Sequence, residues 1–71
     1  METLQELHAK GLLAMGFGEV ESTSRKYRTF RSPKGTLYFL GKSGAVRFGK
    51  NASSSISLAE SSKAVILAKA K

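Results

Sequence analysis

Two periodicities divide the chain. Near the start, Leu4, Leu7, Gly11, Leu12 and Met15 recur at helical spacing and share one stripe. Thr3-Leu4-Gln5-Glu6 matches a capping box, in which the Thr hydroxyl accepts from an early backbone N–H and the Glu reaches back to the cap. The spacing predicts a helix over residues 4–15, closed by a left-handed Gly16. Gly11 weakens such a helix by about 1 kcal/mol relative to Ala. His8 falls at the edge of the stripe. Glu19-Val20-Glu21 reads as a short edge strand at most, before the loop-like Ser22-Thr23-Ser24.

From Arg25 the pattern turns to short strands and tight turns. Strands are expected over 25–32, 36–41 and 45–49. Ser32-Pro33-Lys34-Gly35 between the first two suits a type I turn, and Ser43-Gly44 a tight hairpin. Such short connections exclude parallel crossovers, so the sheet should be an antiparallel meander. Asn51 to Ser55 reads as a polar loop. Ser57-Leu58-Ala59-Glu60 is a second capping box, opening a helix over 57–70. On that helix Leu58, Ser62, Val65 and Ile66 face one way, Ala59, Ala64, Ala68 and Ala70 permit close approach, and Lys69 and Lys71 suit the dipole. The expected fold is α+β and a single small domain over 1–71: an N-terminal helix, a three-stranded antiparallel meander, and a C-terminal helix packed on one sheet face.

Strand alternation then assigns faces. Leu37 and Phe39, with Val46 and Phe48, form the expected core of the sheet against Val65 and Ile66. Thr36, Tyr38, Leu40, Ala45 and Arg47 are left for the open face. The first strand permits two phases: Phe30 inside with Lys26 and Arg28, or Tyr27 inside with Lys26, Arg28 and Phe30 outside.

Charge changes this picture more than composition does. Residues 22–50 hold eight of the twelve Lys and Arg residues, five of the six aromatics and no acid. A field of one sign concentrated in one segment attracts polyanions. Lysines on strand edges also discourage sheet-to-sheet aggregation, but that role does not explain the missing acids. At 71 residues the core is small. With no Cys and one His, neither a disulfide nor a four-ligand zinc site can brace it. The absence of Cys fits a cytoplasmic protein. The longest early apolar run, Gly11 to Phe17, is well short of the roughly 20 residues of a membrane span. It also lacks the cationic flank of a signal peptide.

Individual motifs offer little chemistry. Gly41-Lys42-Ser43 resembles the end of a phosphate-binding loop, but the upstream Gly is displaced to Gly35 and the region reads as a strand. His8 has no nucleophile beside it. Asn51-Ala52-Ser53 fits the glycosylation pattern by chance, and Ser53 to Ser55 reads as a loop before a helix. Neither an enzyme nor a cofactor is expected.

The expected function is that of a small basic nucleic-acid-binding protein, with DNA favoured over RNA. Lys26, Arg28, Arg31, Lys34, Lys42 and Lys50 are the expected phosphate contacts, Arg47 and Tyr38 the candidate base contacts, and Arg25 is counted in the same nucleic-acid-binding set. The strand–strand–strand–helix order is similar in topology to the three-stranded arm-binding domains of tyrosine recombinases. The alternative is a small protein-binding modulator that docks an acidic surface of a larger enzyme or complex. An unpacked stripe of Leu4, Leu7 and Leu12 would add a homodimer contact through the first helix.

Overall fold

The computed structural model describes residues 3–22, 26–51 and 53–70. In chain order these form α1 (Leu4–Ala14), β1 (Gly18–Val20), β2 (Tyr27–Arg31), β3 (Leu37–Gly41), β4 (Val46–Gly49), β5 (Ile56–Ser57) and α2 (Glu60–Lys69). The fold is α+β with a helix toward each end, and the sheet is an antiparallel meander in the order β1-β2-β3-β4-β5. It therefore has five strands rather than three. The added strands lie at the two edges and are three and two residues long. β1 overlaps the short edge strand read at Glu19-Val20-Glu21, whereas the two-residue β5 carries no alternation from which to read a strand.

The first capping box forms. Thr3 Oγ1 accepts from the Glu6 N–H at 3.2 Å, and α1 ends before a left-handed Gly16. The second does not, because Ser57 belongs to β5, where it pairs with Arg47. Helix α2 starts later than the sequence suggests, with Ala59 at its cap and no side chain satisfying its first N–H groups.

Both central hairpins use the same connection. Gly35 N–H donates to the Ser32 carbonyl (2.9 Å) and Gly44 N–H to the Gly41 carbonyl (3.1 Å). Ser32 then pairs with Thr36, and Gly41 with Ala45, so each loop has three residues. The last of each loop, Gly35 or Gly44, takes a φ of +95° or +92° that L side chains avoid.

The loop length decides which side chains are inside. A two-residue Ser43-Gly44 connection would set Phe39 opposite Phe48. With one more residue in the loop, Leu40 lies opposite Val46 and Phe39 opposite Arg47. A one-residue slip turns every side chain of one strand to the other face. The helix-covered face therefore carries Phe30, Leu40 and Val46, which join Ala9, Leu12 and Ile66 in the buried core, with Phe17, Tyr38 and Leu58 packed around them. Of the four expected sheet core residues, Val46 is central and Phe48 half-buried on the same face, whereas Leu37 and Phe39 lie on the other face. For β2 the register selects the first phase: Phe30 is inside, and Tyr27, Thr29 and Arg31 are outside.

Helix α1 covers β1, β2 and β3, while α2 packs principally on α1 rather than directly on the sheet. Ile66 reaches the core, but Val65, expected beside it, is exposed. Close approach of the helices is supplied by Gly11, not by the alanines of α2, since Ala64 and Ala68 are exposed. A Cβ at Gly11 would lie 2.0 Å from the Ile66 carbonyl oxygen. The α1 stripe is rotated from the expected one. Its buried members are His8, Ala9, Gly11 and Leu12, while Leu4 and Met15 are exposed. Of the three leucines in the stripe offered for a homodimer, Leu12 is fully buried, Leu7 half-buried and Leu4 exposed.

His8 is buried, and neither ring nitrogen has a hydrogen-bond partner among the described residues. Burial holds its pKa below the usual 6.5, and Lys63 reinforces this, whereas the Leu4 carbonyl and Glu60 pull the other way. A neutral imidazole is the form this environment accommodates.

Candidate functional site

The helix-free face of the sheet is built in three rows by the strand register. Tyr27 pairs with Gly41; Thr29, Phe39, Arg47 and Ser57 line up across the middle; and Arg31, Leu37 and Gly49 form the third row. Although no helix covers this face, Thr29 and Phe39 are only 4% and 8% exposed. Their neighbours cover them: the Tyr27 and Phe39 rings meet edge to face with centroids 5.4 Å apart. Arg47 lies along the β4–β5 side. Its Nε donates to Ser55 Oγ (2.9 Å), its Nη2 to the Ser55 carbonyl (2.6 Å), and its Nη1 to Ser57 Oγ (3.4 Å). Three hydrogen bonds hold the guanidinium in one orientation, which a long flexible side chain would otherwise not keep.

Between these groups is a pocket of about 120 Å³, lined by Tyr27, Phe39, Gly41, Ala45, Arg47 and Ser55. Gly41 makes its floor, because the position opposite Tyr27 carries no side chain. Gly49 serves the same face differently. A Cβ there would come within 3.0 Å of Ser55 Cα, so its absence lets the segment bearing Ser55 close against β4.

The expected site residues separate into two groups. Arg47 and Arg31 occupy outward strand positions, and Lys26 is exposed immediately before Tyr27. Lys34 and Lys42 are exposed in the two hairpin loops, and Lys50 is exposed just after β4. Consecutive hairpins turn at opposite ends of β3. Lys26 and Lys42 therefore flank the Tyr27 end, while Arg31, Lys34 and Lys50 flank the other end. Arg31, Lys34, Lys42 and Lys50 make no ion pair among the described residues. Arg25 lies outside the described residues.

Two expected contacts are placed on the helix side. Arg28 alternates with Phe30 and grips Glu19 with two bonds, Nε to Oε2 at 2.8 Å and Nη2 to Oε1 at 2.7 Å. Its guanidinium also sits 5.4 Å from the centre of the Phe30 ring. The hydrogen bonds from Arg28 lower the Glu19 pKa, and Glu19 in turn stabilises the charged guanidinium. Tyr38 packs edge-on against Phe17 (4.9 Å) and stacks on Phe48 (5.7 Å). It is therefore not the open-face base contact expected from the sequence.

This arrangement sorts charge by face. Glu2 lies outside the described residues; Glu6 is on α1, Glu19 on the helix side of β1, Glu21 beyond the end of β1, and Glu60 on α2 bonded to Lys63 at 3.1 Å. Among the described residues no acid occupies an outward position of any strand. Nor does any group of three His or acidic side chains there stand close enough to hold a metal ion. No described helix is long and apolar enough to cross a membrane.

The sequence reading missed the Tyr27–Phe39 pair and the Gly41 floor. Their signal was the three-residue loop length, which sets the phase of β3. Comparison with protein-family models, with curated proteins and with solved structures finds no match for this chain.

Proposed function

We propose that this chain is a small nucleic-acid-binding protein that presents the helix-free face of its sheet to a polyanion. One observation carries the reading: the sheet divides the charges, with Arg31 and Arg47 facing outward, Lys26, Lys34, Lys42 and Lys50 around the rim, and acids confined elsewhere among the described residues. Cations at both ends of β3 suit an extended chain of phosphates better than a single anion, because the ends of a five-residue strand stand roughly 17 Å apart. Lys26, Arg31, Lys34, Lys42 and Lys50 are the phosphate contacts in this reading. Arg28 is left out because Glu19 already neutralises it. DNA is the first ligand to test, with RNA beside it.

Electrophoretic retardation and titration with duplex DNA, single strands and structured RNA at several salt concentrations test the reading. Five phosphate contacts give a log–log salt slope of about −4.5 on duplex DNA and about −3.5 on single strands. A slope near zero, or no retardation of any of the three at low salt, overturns it. Capture of an acidic protein under those conditions would then favour the modulator reading.

A further inference from the structure

We infer that the pocket floored by Gly41 receives one unpaired nucleobase, which makes single strands the preferred ligand of this face. The inference rests on the nucleic-acid reading above and names the polymer within it. A bound base needs an apolar slot, an aromatic or guanidinium surface to stack on, and cations nearby for the attached phosphates. All three occur together here. Tyr27 and Phe39 give aromatic wall, Gly41 and Ala45 leave the space open, and Arg47 offers a planar guanidinium held by Ser55 and Ser57. The volume of about 120 Å³ is of the order of the roughly 150 Å³ apolar cavity that accepts benzene. One ring system can enter such a slot, but a base pair cannot.

Charge identifies the occupant further. Arg47 itself lines the pocket, Lys42 follows Gly41 in the adjoining hairpin loop, and no acid is among the lining residues. A nucleotide brings a phosphate that the cations of this face can meet, which a neutral apolar ligand does not. In a duplex the faces of each base are covered by stacking neighbours, so only an unpaired base can present its ring to this slot.

Gly41 gives a clean test, because its backbone does not require glycine. Its φ is outside the left-handed region, and an added Cβ would make only ordinary contact with Ala45, at 3.5 Å. Gly41→Val therefore fills the pocket while leaving every cation in place. The assay is fluorescence anisotropy with three labelled ligands: a thymidine oligonucleotide, an abasic strand of the same length, and a duplex. For the unmodified protein, the thymidine strand should bind about tenfold more tightly than the abasic strand, the effect of stacking one base. Gly41→Val should abolish that difference without changing abasic affinity or the salt slope. Tyr27→Ala, which removes a half-exposed wall, should do the same, and circular dichroism establishes that each variant is folded. Equal affinity of the unmodified protein for thymidine and abasic strands overturns the pocket assignment and leaves the polyanion reading standing. Retention of the difference in both folded variants does likewise. Failure to bind any of the three ligands at low salt overturns both.

Discussion

Replacing Gly11 with alanine should destabilise the protein, although helix propensity alone argues the reverse. On an isolated helix the change would gain about 1 kcal/mol. Here the new methyl carbon would stand 2.0 Å from the Ile66 carbonyl oxygen, 2.7 Å from Ile66 Cγ2 and 2.8 Å from the Ile66 carbonyl carbon. To restore even a 3.0 Å separation, α2 must retreat by about 1 Å at the residue that anchors it. Overpacking of this kind costs about 1–3 kcal/mol, and loss of Ile66 burial about 1.5–3 kcal/mol if α2 lifts away instead. After subtracting the propensity gain, the expected net loss is up to about 2 kcal/mol. For a domain of this length that corresponds to a fall in Tm of up to about 15 °C. Thermal and urea unfolding followed by circular dichroism measure it. Gly18→Ala is the matched control, since no atom lies within 4 Å of its added Cβ and its φ is not positive. That variant should be unchanged or up to about 1 kcal/mol more stable. If Gly11→Ala is as stable as the parent or more so, the helices do not approach as described and the reasoning fails.

Two further outcomes follow from titratable groups. His8 has a lowered pKa in the folded state, so below about pH 6.5 the unfolded chain binds a proton that the folded chain resists. Stability should be full above that pH and decline as pH falls through it; unfolding curves at pH 8, 6 and 5 should show the loss, and His8→Leu should flatten it, so an unchanged pH dependence in that variant would refute the assignment. Glu19→Gln should alter stability by less than about 1 kcal/mol, because both partners of the ion pair are more than a third exposed. Releasing Arg28 should meanwhile strengthen binding to nucleic acid at low salt, and weaker binding would count against the charge-sorting account.

The parts of this fold legible in the sequence are those governed by local chemistry. Thr3 and Glu6 announced the start of α1 correctly, because both partners of that cap lie within the helix's own first turn. The same motif at Ser57 and Glu60 misled, since strand pairing with β4 takes Ser57 first. The turn at Ser32–Gly35 was readable from Pro33 and Gly35, whereas the connection read as Ser43-Gly44 is one residue longer and includes Lys42. The inside of β3 was not readable. Leu37, Tyr38, Phe39 and Leu40 are apolar in both phases, so alternation gives no preference, and the outcome hangs on whether Lys42 belongs to the loop or the strand. That single residue exchanged Tyr38 for Phe39 on the open face and changed the candidate site with it. Most of the exposed cations survived the exchange, because turn residues stay at the rim whichever way the strand is phased. Gly11 looked from the sequence like a defect in a helix, and its purpose depends on a contact with residue 66 that local patterning cannot show.

The ladder order has a consequence for how the chain acquires its shape. Each strand pairs only with its neighbour in sequence, so the sheet can grow hairpin by hairpin with short loop closures. The α1–α2 contact is different: Gly11 and Ile66 are separated by 55 positions, and their meeting requires the intervening sheet to bring the chain's two ends within reach. Loop-closure entropy therefore favours forming the hairpins before α2 docks. The outward cations, all on the sheet and its turns, belong to the part of the chain that local closures assemble.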